Sequence, residues 1–181
     1  SFPPEYEVEL PHFVPEGMIA QLWRDVEELY RRGVRRFRLT DLSHLLIFSS
    51  GKFEELQLSM GYPFPVTNSF AAAEIAEWGV ETIQAWIELE KSAVEQMVRR
   101  TPVTTEIYCY GRPFLLAGRA HLGAEGLIND PRGRKFYVTG RNVYGISYIL
   151  PYEILSLPAT ELHGADMACY YDLRHIQLEE I

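Results

Sequence analysis

Cysteine is scarce in this chain: Cys109 and Cys169 are the only two among 181 residues. That excludes a disulfide-stapled scaffold and an iron–sulfur or metal centre built from four cysteines of one chain. It also sets a reducing, cytoplasmic compartment as the expectation. Positive charge is short as well. Seventeen Lys and Arg face 25 Asp and Glu, a net charge of −8, which argues against broad, sequence-independent nucleic-acid binding and leaves room only for a local basic strip. Long apolar runs are missing. The longest charge-free stretch, Leu56 to Ala73, is interrupted by Gly61, Pro63, Pro65 and Asn68, so no membrane span is expected. The opening Ser1-Phe2-Pro3-Pro4 has no initiator Met, basic region or apolar signal segment, and reads as the start of a piece of a longer chain. What is present is a globular composition, 47% hydrophobic, expected to form a single domain over residues 1–181.

Apolar positions at Ile19, Leu22, Trp23, Val26, Leu29 and Tyr30 recur at three and four residues, which predicts a helix over 16–32 that Gly33 stops. Arg35 to Thr40 then alternates as a short strand. The unit recurs: Phe53 to Leu58 reads as a strand, Pro63 to Thr67 as an extended segment, and Asn68 as the cap of a helix over Ser69 to Trp78. Glu81 to Ile87 reads as a strand, Leu89 to Arg100 as a helix, and Thr104 to Tyr110 as a further strand. Both Arg31-Arg32-Gly33-Val34 and Glu77-Trp78-Gly79-Val80 put Gly before Val where a helix gives way to a strand, a packing signal without chemistry. Alternating strands and helices predict parallel strands with crossover helices, an α/β layer or barrel. From Gly111 to Asp166 the alternation fails in favour of Gly, Pro and Tyr, with a strong turn at Asn129-Asp130-Pro131-Arg132-Gly133. That stretch reads as a long insertion of antiparallel strands before a last strand, Ala168 to Leu173.

No nucleophile elbow, phosphate loop, zinc-protease helix or dinucleotide fingerprint occurs, and no two histidines stand four residues apart. Position is then the guide, because a parallel α/β fold gathers its chemistry where strands end. Asp41 and His44 follow the first strand, Asn68 and Ser69 the extended segment, Glu88 the third strand, Arg112 the fourth, and Arg174 and His175 the last. Asp41, Asn68 and Glu88 also fit helix caps or the positive end of a helix dipole. His44 fits a histidine satisfied by backbone, and Cys109 a small buried hydrophobe. Arg112 and Arg119 stand among apolar residues, where a guanidinium meets either a buried carboxylate or an anionic ligand.

Several phrases fall in order. Arg36-Phe37-Arg38-Leu39-Thr40-Asp41-Leu42 with His44, Asn68-Ser69-Phe70-Ala71, Glu88-Leu89-Glu90 and Arg100-Thr101-Pro102-Val103 come first. Glu106-Ile107-Tyr108 with Tyr110-Gly111-Arg112, Asp130-Pro131-Arg132-Gly133 with Phe136-Tyr137-Val138, and Tyr171-Asp172-Leu173-Arg174 follow. Together they resemble the second half of the collagenase-like peptidase family of unknown catalytic type, peptidase family U-thirty-two, from about Leu10 to Arg174. The resemblance implies a partial or modified eight-stranded TIM-type (βα)8 barrel, with 111–166 as an insertion between its last two strands. Some members hold an iron–sulfur cluster and hydroxylate transfer or ribosomal RNA, or serve ubiquinone hydroxylation. The positions that carry their cysteines hold Phe114, Leu115 and His121, then Arg141, Asn142 and Tyr144 here, so no cofactor is expected. His121 leaves only zinc shared across a dimer open.

The implied function is a hydrolase or an RNA- or small-molecule-modifying enzyme. Asp41, His44, Asn68, Glu88, Arg112 and Arg174 would bind an anionic or peptide-like ligand at the barrel mouth. The alternative is a non-catalytic subunit that binds a partner chain. A full barrel takes roughly 250 residues, so an amino-terminal barrel half, a partner chain or a second copy is expected to complete it.

Overall fold

The computed structural model describes residues 3, 5–157 and 167–176. The end of the expected insertion, up to Asp166, lies outside the described residues. The chain forms two compact units, residues 5–107 with 167–168, and residues 108–157 with 169–176.

The first unit opens with β1 (Glu7–Glu9). A 3-10 turn at Glu16–Met18 leads into α1 (Ile19–Arg31), followed by β2 (Arg36–Leu39), a second 3-10 turn at Leu42–His44 and α2 (Leu45–Phe48). Then come β3 (Gln57–Met60), α3 (Ser69–Glu77), β4 (Val80–Gln84), α4 (Lys91–Arg100) and β5 (Thr104–Gly111). The spacing that predicts α1 buries Leu22 and Val26, and Gly33, at φ +100°, closes the helix in the left-handed conformation glycine adopts without strain. Val34, next to it, is buried as the chain turns toward β2.

Strand order follows chain order, β1-β2-β3-β4-β5, and each neighbouring pair is parallel. Right-handed crossovers in such an order bring the helices to one face of the sheet. On that face Phe37, Leu39, Met60 and Ile83 are fully buried, and Val26, Ile75 and Met97 of the helices are buried with them. Residues one position away point to the other face, and there the side chains are polar: Glu7, Arg38, Ser59, Gln84 and Glu106. Arg38 on β2 meets Glu106 three strands away, with Nη1 2.7 Å from Oε2. In a flat sheet those strands would stand about 14 Å apart with side chains roughly perpendicular to the plane. The sheet is therefore curled with its polar face concave, the architecture of a partial barrel.

The second unit carries a four-stranded antiparallel sheet in the order β6 (Leu116–Gly118), β9 (Ser147–Pro151), β8 (Lys135–Val138), β7 (Gly126–Asn129). The β7–β8 turn forms at the expected sequence because the Asp130 carboxylate accepts from the backbone N–H groups of Arg132 and Arg134, 2.8 and 2.9 Å away. β10 (Leu155–Ser156) pairs antiparallel with the end of β5, and β11 (Met167–Tyr171) also pairs with β5. Gly111 ends β5 at φ +136°, and a Cβ there would lie 2.4 Å from the Asp172 carbonyl oxygen and 2.6 Å from the Tyr108 hydroxyl. Only glycine fits that position.

Three elements differ from the sequence reading. The strand expected over Phe53 to Leu58 runs over Gln57–Met60 instead, because Phe53 turns into an aromatic cluster with Tyr30 and Phe48 and Glu55 adopts a positive φ of 54°. The segment expected to be extended from Pro63 to Thr67 opens with a turn, Phe64 N–H bonding the Gly61 carbonyl, and only Val66 bridges to Ala85. The strand expected over Glu81 to Ile87 stops at Gln84, since Trp86 begins a turn closed by the Leu89 N–H. β1 carries too few residues for its alternation to register in the sequence.

Candidate functional site

The concave face of the first unit is organised around Arg38, which is 4% exposed. Its Nε donates to Glu7 Oε2 at 2.8 Å and its Nη2 to Glu106 Oε1 at 2.9 Å. Ser59 Oγ donates to the other oxygen of Glu7 at 2.7 Å. Burial works against the charge of the guanidinium, but the carboxylates of Glu106 and Glu7 outweigh it and raise its pKa above the ordinary arginine value. Gly61 makes room for the arginine stem, since a Cβ there would sit 2.8 Å from Arg38 Cδ. Two carboxylates around one guanidinium leave the cluster with a formal charge of −1, a poor receptor for an anion.

Gln84 stands beside this cluster, in register with Glu106, and is 2% exposed. Its Oε1 accepts from the Tyr62 backbone N–H at 2.7 Å, while its buried Nε2 has no hydrogen-bond partner among the described residues. Just past the carboxyl ends of β3 and β4, Tyr62 and Trp86 stack with ring centroids 5.3 Å apart. Trp86 Nε1 donates to Glu88 Oε2 at 3.2 Å. Burial, with the Glu88 carboxylate adding to it, pushes the Tyr62 hydroxyl up to about 12. This corner offers a buried amide donor, an aromatic shelf and an exposed carboxylate.

A separate groove of about 330 Å³ opens among His12, Phe13, Trp23, Asp41, His44 and Leu46. It collects two expected site residues, both already engaged. The Asp41 side chain caps the following turn by accepting from Ser43 N–H at 2.8 Å. Partial burial opposes its charge, but the Ser43 hydrogen bonds, together with His44 and His12, hold its carboxyl below the ordinary range. His44 is buried, its Nδ1 accepts from the Thr40 N–H at 3.3 Å, and its ring also bonds the Pro11 backbone. An Nδ1 that accepts carries no proton, and burial lowers the pKa further, so the ring is neutral.

The other expected residues lie as follows. Asn68 caps α3, its side chain accepting from the Phe70 and Ala71 N–H groups. Glu88 belongs to the Tyr62–Trp86 corner. Arg112 and Arg174 are in the second unit. Arg112 is buried and donates to the carbonyls of Tyr152 and His175 at 2.8–3.1 Å, with its guanidinium over the Tyr137 ring. Arg174 forks onto Asp172, with Nε 2.8 Å and Nη2 2.7 Å from its two oxygens. Tyr108 donates to the same carboxylate at 3.1 Å. Burial opposes the Asp172 charge, and Arg174 and Tyr108 overcome it and lower the pKa. His121 is exposed, and among the described residues no group of three or more His, Cys, Asp or Glu could hold a metal ion. Among them, too, no helix is long and apolar enough to cross a membrane.

Glu7, Arg38, Ser59, Gln84, Tyr62, Trp86 and Glu106 were not singled out from the sequence. One signal pointed to Arg38: in Arg36-Phe37-Arg38-Leu39 both arginines fall on the face opposite the apolar residues. No protein-family model, no curated protein and no solved structure matches the chain.

Proposed function

We propose that this chain is the carboxyl-terminal portion of a barrel of the collagenase-like peptidase type, and that it binds a peptide-like ligand at the carboxyl ends of its parallel strands. The observation that carries the reading is the buried Gln84 amide nitrogen, without a partner among the described residues, beside a stacked aromatic pair and the exposed Glu88 carboxylate, which accepts from Trp86. A buried donor left unmatched costs about 1–3 kcal/mol, and a ligand carbonyl would satisfy it. Trp86 and Tyr62 offer a flat apolar surface for a side chain, and Glu88 an acceptor for a backbone N–H or an amine. The negative cluster around Arg38 disfavours the anionic alternative, and Arg112 and Arg174 already serve carbonyls and Asp172.

Binding without catalysis is the form favoured. Ser59, the hydroxyl that joins the Arg38 cluster on the concave face, donates to Glu7 rather than to a histidine, and His44 has its ring nitrogens engaged by backbone. The polar concave face also supports a requirement for further barrel strands, from a partner chain, a longer natural chain or a second copy. Parallel sheets are ordinarily covered on both faces. Titration calorimetry of the wild type, Gln84→Leu and Glu88→Ala with an acetyl-capped tripeptide amide, and separately with citrate, tests the reading. Tripeptide binding by the wild type that weakens in both variants supports it. Citrate binding without tripeptide binding refutes it.

A further inference from the structure

The only two cysteines of the chain meet. Cys109 lies in β5 and Cys169 in β11, strands that pair with each other. Both are free thiols, with their sulfurs 2.7 Å apart. Adjacent strands run about 4.8 Å apart, inside the roughly 4.4–6.8 Å Cα separation that a disulfide spans. A bond between these two residues therefore asks little of the backbone.

Their surroundings differ in a way that sets an order of reaction. Cys109 is 1% exposed. Burial, together with the adjoining Cys169, pushes its thiol up to about 12, so it is a poor first nucleophile. Cys169 is half-buried and lies beside the exposed Tyr171, where a small reagent can reach it.

We propose that Cys109 and Cys169 form a disulfide-exchange site that takes a low-molecular-weight disulfide of the glutathione type. Cys169 loses its proton and attacks one sulfur of the reagent. This forms a mixed disulfide and releases the first thiolate, which takes up that proton. Cys109 then gives its proton to solvent and attacks the Cys169 sulfur, forming the internal disulfide and expelling the second thiolate, which is protonated in turn. The two protein thiols are oxidised and the reagent is reduced to two thiols, so atoms and electrons balance. The product ties β11 to β5 immediately ahead of Asp172, the carboxylate on which Tyr108 and Arg174 converge. The exchange thereby sets how firmly that carboxylate is held.

The reduced full chain, incubated with oxidised glutathione, alkylated with iodoacetamide and weighed intact, tests this. The expected result is loss of both alkylatable thiols together, a mass lower by two hydrogens, and recovery of both thiols with dithiothreitol. In Cys109→Ser the reaction should stop at a stable glutathione adduct on Cys169. In Cys169→Ser, modification of Cys109 should be about tenfold slower or more. The proposal is overturned if the wild type keeps two alkylatable thiols, accumulates a lasting glutathione adduct, or is oxidised only to a dimer linked between chains. These wild-type outcomes decide the matter even where a variant does not fold.

Discussion

The two units use charge differently. In the first, Arg38 reaches carboxylates 31 and 68 residues away along the chain, so one buried side chain ties β1, β2 and β5 together. In the second, the ion pairs Arg134–Asp130 and Arg174–Asp172 join residues four and two positions apart. There the long reaches of Arg112 go to backbone carbonyls instead. A local pair reinforces a turn that its own sequence already favours, whereas a distant buried pair holds strands in a curvature that no short segment encodes. The first unit should therefore respond far more to loss of one charged residue than the second.

Arg38→Met should show the largest effect. It leaves Glu7 and Glu106 facing each other without their cation, and breaking a buried ion pair from one side costs about 3–5 kcal/mol. Replacing all three, as Glu7→Leu, Arg38→Met and Glu106→Leu, should recover most of the loss, because no uncompensated charge then remains. Urea unfolding curves measure both. A single variant within about 1 kcal/mol of wild type, the range of exposed pairs, would erase the contrast between the units.

Oxidation of Cys109 and Cys169 sharpens the same contrast from the other side, since it gives the second unit a long-range covalent tie. The two residues are 60 positions apart, and closing a loop of that size is worth up to about 4 kcal/mol on chain entropy alone. Engineered and native disulfides commonly deliver about 2–4 kcal/mol. Unfolding of the second unit, followed by amide exchange in β11 and the end of β5 with and without dithiothreitol, should show the gain there. Equal protection in both states would remove the structural consequence assigned to the exchange site.

Arg112→Ala comes next. Its guanidinium serves the carbonyls of Tyr152 and His175, and hydrogen bonds from a charged donor are worth about 1.5–3 kcal/mol. The variant should melt earlier while its response to citrate matches that of the wild type. An unchanged melting temperature with altered citrate binding would return Arg112 to the role of ligand-binding residue.

What the sequence disclosed follows the same division between local and distant. The caps at Asp41 and Asn68, the Gly33 helix stop, the Asp130 turn and the change from helix–strand alternation to antiparallel strands after Gly111 all depend on neighbours within a few residues. They were legible for that reason. The concave cluster was not, because Glu7 lies on a strand too short to register as one, and nothing near Arg38 or Glu106 in the sequence announces that they meet. Gln84 was hidden differently. The sequence pattern runs its strand on to Ile87, which places this candidate residue in the middle of an element, whereas the strand ends at Gln84. Arg112 reads in the sequence as a guanidinium in apolar company that meets a carboxylate or an anion, whereas its acceptors are carbonyls supplied 40 and 63 residues away.

The smallest expected effect is in pH: burial lowers the pKa of His44 in the first unit and of His175 in the second, so substitution tells the two histidines apart. His44, in the first unit, has its pKa lowered by burial. The unfolded chain, with a histidine near its ordinary value of about 6.5, then binds the proton more readily than the folded one. Stability from this group is complete above about pH 6.5 and is lost as pH falls from there through the lowered folded value. Asp172, in the second unit, also has a lowered pKa, burial opposing the shift while Arg174 and Tyr108 produce it. Its contribution is complete above the ordinary carboxylate value of about 3.9 and disappears only as pH falls through the still lower folded value. Stability measured from pH 8 to pH 3 should show the losses from His44 and His175 first, ahead of Asp172. His44→Asn, which keeps an acceptor for the Thr40 N–H without a titrating ring, should flatten the slope just below pH 6.5. Asp172→Asn should leave that slope intact and be less stable at neutral pH. If His44→Asn and wild type run parallel between pH 7 and 5, the buried neutral ring is not what makes the first unit sensitive to mild acid.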